Sequence, residues 1–258
     1  MKNILRVLFL LGFLYGCSEE VSKQSSAENN TPIKFENKKF ERYLTECAKE
    51  DTCLSLVYNY PQFPATGTFN QKLNAFIDSL FRYDFMNSDF QNSWDDVYTN
   101  AEGEYLSLAT EFPDHASPWT FDRRVTVANS GFYLTIQFDE FTYSGGAHPN
   151  SFRQYYNFDT KSFVLIELST ILDLKKAADI AEAEFRRLKN IESGKSYSEL
   201  GYFFSDDKFY LSTNFGILEK GLIFRYDHYE IAPYSMGATD LFVSFEDLEP
   251  ALRETFRR

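Results

Sequence analysis

Histidine and cysteine, the side chains that most often build catalytic and metal centres, are scarce: three of each stand in 258 residues. A zinc site is excluded on spacing, because no second Cys or His pair stands at ligand distance beside Cys47 and Cys53 of ECAKEDTC. Neither Gly-x-Ser-x-Gly, the serine nucleophile elbow, nor Gly-x-x-x-x-Gly-Lys, the phosphate loop, occurs. Positive charge is also short, with 26 Lys and Arg against 38 Asp and Glu and a net charge of −12. A surface of that sign repels phosphates, which argues against nucleic acid and suits a cationic partner. After the first residues no apolar run is long enough to cross a bilayer.

The start of the chain sets an address. MKNILRVLFLLGFLYGC has Lys2 and Arg6, then the short apolar run Val7 to Tyr15, then Gly16-Cys17, which reads as a signal peptide over residues 1–16. Leu14-Tyr15-Gly16-Cys17 resembles a bacterial lipobox, in which Cys17 carries the lipid after cleavage. Losing Lys2 and Arg6 takes the net charge from −12 to −14. Residues 17–40 run on from Cys17 as SEEVSKQSSAENNTP, too polar to offset ordering entropy, and are expected to be a flexible tether. The acidic Glu19-Glu20 resembles the surface-export signal of some Gram-negative lipoproteins. The expected location is therefore the cell envelope, on an outer-membrane lipoprotein facing the periplasm or the outer surface. In such an oxidising compartment Cys47 and Cys53 are expected to form a disulfide closing a short loop.

The rest alternates between two periods. CLSLVYNYPQFP is a strand stopped by Pro61 and Pro64. Thr68 to Gln71 has the pattern of a capping box, and Leu73, Phe76, Ile77, Leu80 and Phe81 share one helical face. A second helix, broken near Gly103, runs to Pro113. From Trp119 the period becomes two, predicting an antiparallel meander with strands on both sides of the Gly-Gly loop and a further strand after the turn at Asp159. Leu174, Ala177, Ala178, Ala181, Phe185 and Leu188 form the next helical stripe. Strands near 208–217 and 221–226, a last strand and a helix at 246–256 follow. Runs of helices and strands without strict alternation give an α+β fold: antiparallel sheets with packed helices in two closely associated subdomains, 41–160 and 161–258.

Three segments are similar to something known. LVYNYPQF with the helix after it, FTYSGGAHPNSFRQYYNFDTKSFVLIELSTIL, and FGILEKGLIFRYDHYEIAPYSMGATDLFVSFEDLEPAL resemble the paired domains of unknown function in the extracellular part of RsiV-type anti-sigma factors and ahead of PdaC-type peptidoglycan deacetylase domains. Gly145-Gly146-Ala147-His148 and Tyr229 to Tyr234 with Gly237 carry most of the likeness. The resemblance implies a PdaC-like domain at 41–160 and an RsiV-like domain at 161–258. In RsiV-type proteins this ectodomain binds lysozyme, a cationic wall hydrolase. The chain is expected to be neither an anti-sigma factor nor a deacetylase: Trp119 to Arg124, WTFDRR, only superficially resembles a deacetylase motif, with Arg123 in place of its second acid.

Candidate site residues follow. Tyr143, Ser144, Gly145, Gly146 and His148 occupy one glycine-rich loop, and Tyr229 and Tyr234 another loop bearing proline. Amphipathic rings in such loops serve binding, and glycine allows a backbone that other residues resist. His148 would need a convergent acid, serine or metal to act as a base or ligand. The leading expectation is a non-enzymatic envelope protein, without a cofactor, that binds a wall-related ligand, either a peptidoglycan fragment or a cationic hydrolase. A hydrolase with its site near His148 and a structural subunit of an outer-membrane assembly are the alternatives.

Overall fold

The computed structural model describes residues 33–45, 52–84, 89–113 and 116–256. The expected signal peptide and lipid-bearing Cys17, together with Cys47 and His115, lie outside them. No helix among the described residues is long and apolar enough to cross a membrane.

The chain runs β1 (Glu36–Thr45), β2 (Thr52–Gln62), α1 (Thr68–Arg82), the two-residue strands β3 (Tyr83–Asp84) and β4 (Asp89–Phe90), α2 (Trp94–Glu111), β5 (Trp119–Ser130), β6 (Tyr133–Tyr143) and β7 (Asn150–Asp159). After it come α3 (Leu168–Ile171), α4 (Leu174–Leu188), β8 (Phe215–Ile217), β9 (Gly221–Tyr226), β10 (Thr239–Ser244) and α5 (Phe245–Leu248). A five-stranded sheet has the order β1-β2-β5-β6-β7, and a three-stranded sheet the order β10-β9-β8. All neighbours pair antiparallel except β2 and β5, which are parallel. That one parallel pair needs a long crossover, and α1 with α2 supply it. The architecture is α+β.

Alternation in β2 buries Leu54, Leu56 and Tyr58. Leu56 and Tyr58 meet Leu73, Ile77, Leu80 and Phe81 of α1, the same helical face read from the sequence, with Val125, Ile136 and Phe138 of the meander, while Leu54 packs with Tyr105 and Trp119. Tyr58 stacks on Phe81 at 4.5 Å and donates its hydroxyl hydrogen to Ile77 O at 2.8 Å. A second core lies where Ala177, Ala181 and Phe185 of α4 pack with Leu222, Phe224, Tyr226, Leu241 and Val243. Each large apolar side chain so buried contributes roughly 1.5–3 kcal/mol.

Several local expectations are corrected. Thr68 is not a cap: Gly67, at φ +80°, takes that position without a side-chain bond, and Gln71 Nε2 reaches Ala65 O instead. The second helix is unbroken at Gly103 and is capped by Ser93, whose Oγ accepts from Asp96 N. Glu36–Phe40, assigned to the tether on composition, form half of β1, a charged strand with mostly exposed side chains. The strand expected after Asp159 reduces to one bridge, Phe158 to Leu165, because Phe163 turns the chain at φ +59°. Leu174 and Leu188 are exposed, since they lie at the two ends of α4 beyond the sheet it covers. The expected strand at 208–217 shortens to Phe215–Ile217, and the last helix to Phe245–Leu248 followed by a 3-10 turn.

Burial leaves a pH signature. It pushes the Tyr58 hydroxyl well above its ordinary 10 and that of Tyr156 up to about 12. Unfolded tyrosines ionise near 10, so these two stabilise the fold fully below that pH and lose the contribution as pH climbs through their folded values. Unfolding followed by circular dichroism should therefore show a midpoint that falls from pH 10 upward, with the last part of the tyrosinate absorbance rising together with unfolding.

Candidate functional site

β6 ends at Tyr143, and the chain returns as β7 through the loop 144–149. The return needs two left-handed residues, Gly145 at φ +93° and Gly146 at φ +101°, where a side chain would be strained. A Cβ on Gly145 would also stand 3.2 Å from Ser117 Oγ. Tyr143 fastens the loop by donating to Gly146 O at 3.2 Å.

On the other side, β9 ends at Tyr226 and the segment Asp227 to Gly237 returns to β10. Tyr229 is left-handed, at φ +64°, which is uncommon for a bulky residue and marks local strain. Around it Asp227 N donates to Glu230 Oε2 at 2.9 Å, and Tyr210 donates its hydroxyl hydrogen to Glu230 Oε1 at 3.2 Å. Pro233 opens a 3-10 turn over Tyr234–Met236 that ends at left-handed Gly237.

The two loops meet. The His148 ring stacks on Tyr234 at 3.9 Å and 16°, and the His228 ring stacks on Tyr234 at 4.5 Å and 27°. Tyr234 donates to Pro149 O at 3.1 Å, Tyr229 OH lies 3.1 Å from His148 Nε2, and Ser151 Oγ lies 3.3 Å from His228 Nδ1. His148 Nδ1 faces Pro149 O at 3.0 Å. Among the described residues the hydrogen-bond partners of the His148 ring nitrogens are the Pro149 carbonyl and the Tyr229 hydroxyl, neither of them the acid or serine that a general base would be paired with. No cluster of three metal-ligating side chains occurs among the described residues.

A chain of alternating charges underlies this contact. Arg153 of β7 joins Asp139 at 2.6 Å to Asp240 at 3.0 Å, and Arg225 of β9 joins Asp240 at 3.2 Å to Asp227 at 2.8 Å. Asp227 therefore starts the Tyr229 segment from a fixed position against the meander. The structure thus brings together Tyr143, Gly145, Gly146, His148, Tyr229 and Tyr234. Ser144 stands apart, lining a cleft with Trp119 and Arg123. His228, Arg153, Arg225, Asp227 and Asp240 carry the geometry and were not singled out from sequence, because the ion pair that ties β7 to β10, Arg153 to Asp240, spans 87 positions and leaves no local pattern.

Exposed apolar side chains continue the surface. Tyr229 is 56% exposed and Phe203 53%. Phe203 N donates to Ile231 O at 2.8 Å, beside Tyr229, and Met236 is exposed where Gly201 approaches its Sδ.

Two family models match successive parts of the chain. Residues 47–151 match the model of the family described as Deacetylase PdaC, and residues 172–246 that of the protein of unknown function DUF3298. A DUF3298 family member from Bacteroides fragilis has a similar structure, with a TM-score of 0.68 at 19% identity, covering 87% of this chain and 96% of that one. A DUF3298 family protein from Pseudomonas aeruginosa gives 0.65 at 17% identity, covering 88% and 97%. Among curated proteins no match was found.

Proposed function

We propose that this chain, in which a PdaC-type segment precedes a DUF3298 segment, is a lipid-anchored envelope protein whose ectodomain binds a cationic wall hydrolase through the surface around Tyr229. The observation that carries the reading is Tyr229 itself. It is a bulky aromatic in a left-handed, strained backbone, more than half exposed, held by His148 and by a loop fixed through Asp227. Strain of this kind persists where surrounding structure holds it and clusters at binding sites, and exposed aromatics beside Phe203 and Met236 have the character of interface anchors. The exposed Glu230 and a net charge of −12 favour a basic partner and a fast, salt-dependent association. Binding rather than hydrolysis is favoured because the His148 ring is taken up by Tyr234, Tyr229 and Pro149. The anchor is the thiol of Cys17, and Cys47 with Cys53, the latter buried at the head of β2, forms the disulfide.

Lysozyme is the probe. The ectodomain should be retained on immobilised lysozyme at low salt and released as salt rises. Tyr229→Ala should weaken retention about thirtyfold, the loss of roughly 2 kcal/mol expected of a hot spot, with an unchanged melting temperature. Absence of retention on both lysozyme and purified sacculi at low salt would sink the reading.

A further inference from the structure

We propose that the cleft between α2 and β5 is a second binding site, separate from the Tyr229 surface, for a single neutral hexopyranose-sized ring. Trp119, Phe121 and Arg123 alternate along β5 and so present one face, which with Leu56 of β2 meets Val97, Asn100, Ala101 and Glu104 of α2 across a cavity of about 230 Å³. That is smaller than the roughly 300–1,000 Å³ of sites for drug-sized molecules, and so suits one ring rather than a chain.

The lining has two characters. Leu56 and Trp119 are buried, and Phe121 partly so, which makes an apolar and aromatic floor. Asn100, Glu104 and Ser144 are exposed at the mouth. An apolar floor with a few polar groups at the rim suits a molecule that has an apolar ring face and a polar perimeter. A pyranose is such a molecule.

The two guanidinium charges in the wall are already answered, and the Glu104 carboxylate stands exposed at the mouth. Arg123 is paired with Glu140 at 2.5 Å and donates to Phe81 O; Arg82 is paired with Asp78 at 2.8 Å and donates to Gln91 O at 3.1 Å. An anion therefore gains little, since each guanidinium already has its carboxylate and Glu104 at the mouth repels it. By contrast, the Trp119 indole N–H is buried and has no hydrogen-bond partner, a state rare in a finished core. The nitrogen itself is not accessible, so a guest would meet the ring, and the N–H resonance would report that contact.

The test observes the two indole N–H resonances of the folded chain by nuclear magnetic resonance while N-acetylglucosamine or glucose is added. Trp119→Phe assigns the resonance, and Trp94→Phe assigns the other should the first variant fail to fold. The expected result is a saturable shift at Trp119 with Trp94 unmoved. A response to N-acetylglucosamine alone assigns an acetamido sugar, and a response to both a hexose in general. Asn100→Leu, which plugs the mouth from an exposed helical position, should raise the sugar concentration for half-saturation about tenfold, the upper range for one lost hydrogen bond, while lysozyme retention and melting temperature stay the same. No Trp119 shift with either sugar, a shift with choline instead, or the same titration in Asn100→Leu would overturn the proposal. Each of these outcomes is independent of lysozyme retention, so the two sites fail separately.

Discussion

Replacing Asn157 with leucine should lower stability by roughly 4 kcal/mol, because one buried amide joins the two sheets. Asn157 Nδ2 donates to Phe215 O at 2.7 Å, and its Oδ1 accepts from Ile217 N at 2.8 Å and from Thr135 Oγ1 at 2.9 Å. Both backbone partners belong to β8, so a side chain of the five-stranded sheet satisfies the backbone of the three-stranded one. Leucine has a similar size but leaves the Phe215 carbonyl and the Ile217 amide buried without partners, each costing about 1–3 kcal/mol. Thr135 Oγ1 also donates to Ile217 O at 2.7 Å, so Thr135→Val should cost less, about 1–2 kcal/mol. Urea unfolding of the two variants checks both; a loss below about 1 kcal/mol for Asn157→Leu would show that β8 is held by apolar packing alone.

Arg123→Met should cost about 3–5 kcal/mol, and adding Glu140→Leu should return most of it. These residues face each other across β5 and β6, with side chains only 10% and 13% exposed. Arg123 Nη1 also donates to Phe81 O, the last turn of α1, and its guanidinium lies 5.6 Å from the Phe81 ring centre. Removing the cation alone strands a nearly buried carboxylate. Removing both charges exchanges the pair for apolar packing, which is often neutral. A double-mutant cycle by chemical denaturation measures the coupling. Equal stability of Arg123→Met and the wild type would show that Glu140 gains water when its partner leaves.

The period of the side chains made much of this fold legible. Leu73, Ile77, Leu80 and Phe81 recur at helical spacing, and Leu54, Leu56 and Tyr58 at strand spacing, because a single buried face imposes each pattern. β1 was not legible. At a sheet edge, with Lys38, Lys39, Glu41 and Arg42 exposed, it carries no buried face to betray it. The site was half legible: Gly145, Gly146 and Tyr229 stand in recognisable loops, yet the stacking of His148 and His228 on the two faces of Tyr234 depends on a contact 80 or more residues away for one partner and six for the other. The helix boundaries misread at Thr68 show the same limit. The capping pattern was present, but the chain entering from Pro64 arrives through a left-handed Gly67, which removes the geometry a threonine cap requires.

The two edges of the five-stranded sheet are closed in different currencies. On β7, Asn214 uses its side-chain amide as a substitute strand, donating to Arg153 O at 2.6 Å and accepting from Tyr155 N at 3.0 Å, while Ile166 N takes Asn157 O at 2.8 Å. On β1 the alternating Lys and Glu side chains do the work by charge. Open strands recruit other strands, and edges treated in these ways do not. Held on a membrane surface by the proposed anchor, the chain would meet its own copies continually, and these two edges would keep such encounters from growing into intermolecular sheets.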